Sequence, residues 1–194
     1  MKNDLLSQLE AAGLEESQIL RIKRDLAISD GTLAFLDGVD IWGIDLAQLG
    51  IDESQAQTPA TAFKLESALG LASREAQVLL GARYAFWHYD RADQVYHVIR
   101  RQHAEIILAN GLYRSGAGGG DKRGIFFLSN REDAEVCAHL IGIEDPAIIA
   151  IDKAAISTAE VLHDSYNGDH RISSMYADLD WIAPAFLCLC EVRS

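Results

Sequence analysis

The sequence predicts an α+β fold, with a helical region over residues 1–90 packed on a C-terminal sheet domain over residues 91–194. Three observations carry that reading. In the first 90 positions apolar residues recur at helical spacing, as in Leu5, Leu6 and Leu9 and then Ile19, Ile22 and Leu26. From Val95 onward, short β-branched and aromatic runs take over, in VYHVI, GIFFLS and AIIAI. Helices do not alternate regularly with those runs, which argues against a doubly wound sheet and for a small mixed sheet with helices packed on it.

Taken in order, the first helix ends at Gly13 and a second runs from Glu15 to Ile28, where Ser29-Asp30-Gly31 breaks it. Thr32 to Leu36 reads as a short helical turn. Asp37 to Thr58 carries Gly38, Gly43 and Gly50 around Trp42, so loops and short helices are expected there. Thr58-Pro59 is a helix start, with proline in the first turn where its missing N–H costs nothing. Ser73-Arg74-Glu75 opens a further helix to about His88, rich in strong helix formers.

After Asp90 the pattern changes. Val95 to Ile99 reads as a strand, Gln102 to Asn110 as a helix closed by Gly111, and Gly124 to Ser129 as a second strand. Asn130 caps a helix to about Leu140, with Glu132 and Asp133 where the helix dipole favours acids. Ala147 to Ile151 is a third strand and Lys153 to Ile156 a helical turn. His163 to Arg171 reads as a polar loop, followed by strands over Ile172 to Ala177 and Phe186 to Val192. The order is β-α-β-α-β-loop-β-β. YAFWHYD, residues 84–90, is expected to pack the last N-terminal helix on the sheet.

Composition bounds the function. The chain has 194 residues, 49% hydrophobic and 24% charged, which is globular rather than disordered. No apolar run approaches the roughly 18 residues a bilayer span needs. The start carries acids where a signal peptide would be apolar, so a cytoplasmic protein is expected, or one delivered into a target cell without a cleaved signal. Cys137, Cys188 and Cys190 are too few for a disulfide framework. Cys188 and Cys190 read as small core residues on one strand face, with no companion ligands at metal-site spacing.

A net charge of −12 opposes general nucleic-acid binding. Against that background the stretch from Arg91 to Arg131 is locally basic, holding Arg91, Arg100, Arg101, Arg114, Lys122, Arg123 and Arg131 against only Asp93, Glu105 and Asp121. Such a stretch is either a solvated face or a seat for a phosphate-bearing ligand. Within it, Ser115 to Arg123 (SGAGGGDKR) could bring backbone N–H groups close to a phosphate, with Lys122 and Arg123 supplying charge. It is neither a P-loop nor a dinucleotide fingerprint, because a helix end precedes it and a strand follows.

Tyr96-His97 on the first strand, the helix HAEIILANGL, the strand GIFFLS and the following SNREDAEVCA together resemble the ADP-ribosyltransferase superfold. Within it, VYH, FLS, REDAEVCA, AIIAID and MYADLDWIAPAFL look most like the RNA 2′-phosphotransferase branch. The resemblance spans roughly residues 94–190. It implies a split sheet in which the two strands flank a nucleotide-sized groove, and NAD as the bound substrate.

The resemblance also implies residue roles. His97 would donate a hydrogen bond to a ribose hydroxyl, with Tyr96, Ser129 and Arg123 also at the nucleotide. Phe127 or Phe126 would stack on nicotinamide. Asp180 or Asp178 would supply the acid that stabilises an oxocarbenium-like ribose. His170 and Arg171 would lie near substrate, while Glu191 falls too late in the last strand. The chain departs from the branch in two places: Phe127 stands where its second strand carries histidine, and residues 1–90 do not show its catalytic N-terminal domain. The expected function is therefore an NAD-dependent ADP-ribosyltransferase acting on an unknown target, in an effector or toxin setting. The alternatives are an altered binding module of the same fold, its N-terminal helices docking a protein partner, or an RNA 2′-phosphotransferase-like enzyme.

Overall fold

A computed structural model describes residues 11, 13–15, 18, 19, 22, 28, 32, 36, 38–55, 58–114, 124–140, 142–164 and 174–190. Four helices are described: α1 (Pro59–Leu69), α2 (Ser73–Arg91), α3 (Ala104–Asn110) and α4 (Arg131–Leu140). The strands are β1 (Gln94–Arg100), β2 (Leu112–Tyr113), β3 (Ile125–Leu128), β4 (Pro146–Asp152), β5 (Val161–Asp164), β6 (Ser174–Ala177), β7 (Trp181–Ile182) and β8 (Leu187–Cys190). The fold is α+β, as expected. The readings before residue 38 fall largely outside the described residues, as do Ser115 to Arg123, His170, Arg171 and Glu191.

Local chemistry starts and stops the helices. The Thr58 hydroxyl accepts the Thr61 N–H at 3.1 Å and caps α1. Ser73 opens α2 as expected, with Ala72 at the N-cap, where the Glu75 carboxylate accepts the Ala72 N–H at 2.7 Å. His88 and Arg91 in the last turn suit the negative end of the helix dipole, and Ala92 leaves the helix in an extended conformation. Leu79, Leu80, Ala82, Ala85 and Phe86 of α2 are buried. Each large side chain among them contributes about 1.5–3 kcal/mol of burial.

One sheet runs in the order β5-β6-β3-β1-β4-β8, and β2 pairs with β7 apart from it. Every ladder among the described strands is antiparallel, which corrects the expectation of a mixed sheet. The only parallel pairing described is an isolated bridge from Ile28 to His163. β4 lies inside the sheet with residues 147–151 buried on both faces, which is why AIIAI lacks alternation. β5 corrects the polar-loop reading at His163 and Asp164, and β2 and β7 left no sign in the sequence.

The core is continuous across the expected boundary at residue 90. Leu36, Leu65, Leu79 and Phe86 share one buried cluster with Val95, Phe127, Ile149 and Met175. The helical region therefore covers one face of the sheet, as YAFWHYD suggested, with the Tyr89 ring 5.9 Å from that of Phe127. A smaller cluster of Leu128, Ala134 and Ile148 packs α4 on the opposite face, joined by Tyr96, Val98, Cys137 and Cys190.

Arg83 fastens residues 41–53 to α2. Its guanidinium donates to the carbonyls of Ile41 (2.9 Å) and Ile44 (3.0 Å) and pairs with Glu53 through both Nε and Nη2. The residue is 9% exposed, so its charge is balanced where water cannot reach it.

Candidate functional site

The strand registers divide the sheet into two halves. β1 pairs with β4 over seven residues and β3 pairs with β6 over four, yet β1 and β3 meet at one residue pair, Tyr96 with Leu128. The halves β5-β6-β3 and β1-β4-β8 thus part beyond that pair. Continuing the register would set Val98 opposite Phe126, and there a side chain replaces the ladder. The His97 Nδ1 lies 2.6 Å from the Phe126 carbonyl oxygen.

A carbonyl only accepts, so Nδ1 carries the proton and donates it. In the neutral ring Nε2 then bears the lone pair. Burial lowers the His97 pKa, with the Phe126 hydrogen bond acting the other way, so the neutral ring is the resting form. The neutral ring therefore offers an acceptor at Nε2, where the resemblance implied a donor. His97, half-buried, would accept a hydroxyl proton through Nε2 rather than donate to the hydroxyl oxygen.

The neighbouring residues are divided between the faces. His97 shares the face of Val95 and Ile99, while Tyr96 and Val98 point to the α4 side. Phe127 is 2% exposed and packs in the main core, leaving no open ring face for nicotinamide. Phe126 is half-buried on the other face, its ring 5.4 Å from that of Tyr176. Ser129 is 1% exposed, and its hydroxyl has no partner among the described residues. Tyr96 and Ser129 do converge, because both line a cavity of about 610 Å³ with Gln94, Arg91, Asn130 and Arg131. Arg123 lies outside the described residues.

Asp178 and Asp180 come together elsewhere. Both pair with Arg114, the residue after β2, at 2.5 and 3.1 Å. The Arg114 N–H also donates to the Asp180 carbonyl at 2.8 Å, and its Nε to that of Leu179 at 3.3 Å. Arg114 therefore staples the turn from β6 into β7. Two glycines permit this. A Cβ on Gly124 would stand 2.1 Å from the Ala177 carbonyl oxygen, and one on Gly111 would stand 2.1 Å from the Trp181 Nε1. Trp181 Nε1 donates to Asn110 at 3.0 Å. No described contact joins either aspartate to His97.

Sequence reasoning missed a polar knot between α2 and α4. The Tyr84 hydroxyl donates to Asp133 at 3.2 Å, and the Asn130 amide reaches Tyr84 at 3.0 Å and Asp133 at 2.9 Å. Burial raises the Asp133 pKa to about 6 against the pull of those hydrogen bonds, and burial and Asp133 together raise that of Tyr84. Asp133 was visible only as an acid in a first helical turn. Its burial depends on Tyr84, 49 positions away.

Cys188 is exposed and Cys190 half-buried, because β8 is the sheet's outer strand rather than a core strand. Among the described residues no group of three or more His, Cys, Asp or Glu could hold a metal ion. None of the described helices is long and apolar enough to cross a membrane. Set against known proteins, the chain matches no family model and no curated protein sequence.

Proposed function

We propose that the chain is an ADP-ribosyltransferase-like protein that seats NAD where the sheet parts between β1 and β3, and that it cleaves the nicotinamide–ribose bond. One observation supports this above the others. The His97 ring occupies the break itself, anchored through Nδ1 to Phe126, with Nε2 left as the acceptor for a ribose hydroxyl. Holding one imidazole nitrogen fixes the ring and the tautomer, so a sugar hydroxyl meets a preset acceptor. A cavity of about 610 Å³, lined by Tyr96, Ser129, Arg91 and Arg131 with Asp93 and Asp152, is within the size range of small-ligand sites, and it lies at the other end of the Tyr96–Leu128 pair from His97.

The transfer step would need a carboxylate near the ribose as positive charge develops there. Asp180 and Asp178 are the candidates, and in this structure both are held by Arg114. That pairing favours a second reading, a binding module of the same fold that holds the nucleotide without cleaving it, its N-terminal helices docking a protein partner. The RNA-directed reading is weaker, since a chain of net charge −12 repels a polyphosphate backbone.

The test is incubation with NAD labelled in nicotinamide, for the full chain and for His97→Ala. Release by the wild type that the substitution cuts at least tenfold supports the transferase. NAD binding without release supports the module. Neither binding nor release removes both.

A further inference from the structure

β5 is the outermost strand of the sheet, and a piece of the N-terminal region lies against it. Ile28 makes a parallel bridge to His163, and the Thr32 hydroxyl donates to the His163 carbonyl at 3.3 Å. The same hydroxyl oxygen is 3.2 Å from the His163 Nδ1. Both contacts are satisfied together when Nδ1–H donates to the hydroxyl oxygen and the hydroxyl proton goes to the carbonyl. That tautomer leaves Nε2 with a lone pair.

The surroundings of Nε2 are apolar. His163 is 1% exposed and Thr32 fully buried. Met175 stands opposite on β6, and the Phe86 ring of α2 lies 6.4 Å away. Nε2 has no hydrogen-bond partner among the described residues. From the elements packed on it, the N-terminal region presents Thr32 and Ile28, α2 presents Phe86 and β6 presents Met175. None of these carries a charge, and no charged group among the described residues acts on the ring's titration. A proton added at Nε2 would thus be a cation in a buried pocket with no acceptor and no counter-charge among the described residues.

We infer that His163 is an acid-sensitive latch, holding the N-terminal segment at Ile28 and Thr32 on β5 while the ring is neutral and releasing it when the ring is protonated. β1, β3 and β4 also pack against α4 on the opposite face, so the sheet keeps that cover when the segment leaves. The latch is independent of whether NAD binds.

The sign follows from burial. The docked ring has its pKa lowered from 6.5 to about 4, so the released state binds the extra proton. Docking is therefore at full strength above about pH 6.5 and weakens as pH falls toward about 4, by about 20-fold between pH 7 and pH 5.

The experiment is amide hydrogen exchange of the full chain from pH 7 to pH 5, corrected for intrinsic exchange, with wild type and His163→Met. The expected result is opening near residues 28–36 that rises about 20-fold in the wild type and stays flat in the variant, with β4 protected throughout. If His163→Met does not fold, an NMR titration of the wild-type ring decides, and it should stay neutral below pH 6. The latch is overturned by an equal pH response in His163→Met, by a ring titrating near 6.5, or by β4 losing protection in the same step.

Discussion

His97 and Phe126, 29 positions apart, are joined by a 2.6 Å hydrogen bond from an imidazole Nδ1 to a backbone carbonyl, at the place where two halves of a sheet stop pairing. The bond replaces a rung of the ladder with a side chain. It orients a titratable ring and fixes its tautomer, with Nδ1 as the donor.

Removing a carboxylate at the β6–β7 turn separates the two readings of the site. Under the transferase reading, Asp180→Asn or Asp178→Asn lowers nicotinamide release by about 100-fold or more while NAD affinity changes little, as expected for a group acting on developing charge. Release rates and equilibrium binding, measured on the same preparations, check this. Equal losses in both quantities would mean that the acids only hold the turn with Arg114.

Asp133→Asn should flatten the pH dependence of stability between about pH 4 and pH 6. The folded-state pKa of Asp133 is raised from 3.8 to about 6. A raised carboxyl binds its proton more tightly in the folded state, so its contribution is full below pH 3.8 and is lost as pH rises through about 6. The loss is on the order of 2–3 kcal/mol, and asparagine keeps an oxygen for the Tyr84 hydroxyl. Urea unfolding at pH 4.5 and pH 7 reads the difference. His163 shifts stability in the opposite sense over the same range, so comparison with the variant matters more than the wild-type slope.

Arg83→Ala should destabilise the chain by about 3 kcal/mol, because it leaves Glu53 unpaired and strands the carbonyls of Ile41 and Ile44. Chemical denaturation at neutral pH checks the magnitude. A loss under about 1 kcal/mol would show that residues 41–53 are held by their apolar side chains alone.

Gly124→Ala puts a methyl group 2.1 Å from the Ala177 carbonyl oxygen, a backbone atom that cannot swing aside. The β3–β6 ladder must shift, at a cost of about 1–3 kcal/mol. Thermal unfolding reads the loss, and an unchanged melting temperature would contradict the close packing at that turn.

What the sequence made legible was local. Thr58-Pro59 announces α1 because a hydroxyl and a fixed φ act within one turn. Val95 to Ile99 announces β1 because Val95 and Ile99 face the main core while Tyr96 and Val98 face α4. β5 escaped notice because Val161-Leu162-His163-Asp164 runs straight into polar residues, and its burial comes from Phe86, Met175 and Thr32 on distant elements. β2 and β7 are two residues each, too short to show any period.

The site was half legible for the same reason. His97 can be picked out by its strand, but its tautomer depends on Phe126. Asp178 and Asp180 can be picked out as acids near a late strand, but Arg114 lies 64 positions from Asp178 and no spacing rule links them. Phe127 or Phe126 looked like a stacking ring because the resemblance puts an aromatic at that place in the second strand, and alternation made one of them core without saying which. Only the packing of Tyr89 and the helical region shows that Phe127 is the covered one.

The most direct measurement of the central claim is a nitrogen NMR spectrum of the His97 ring, recorded with and without NAD. The account predicts a neutral ring protonated at Nδ1 in the free protein, and a selective Nε2 shift as NAD is added. A ring protonated at Nε2, or an Nε2 resonance unmoved at saturating NAD, would contradict it.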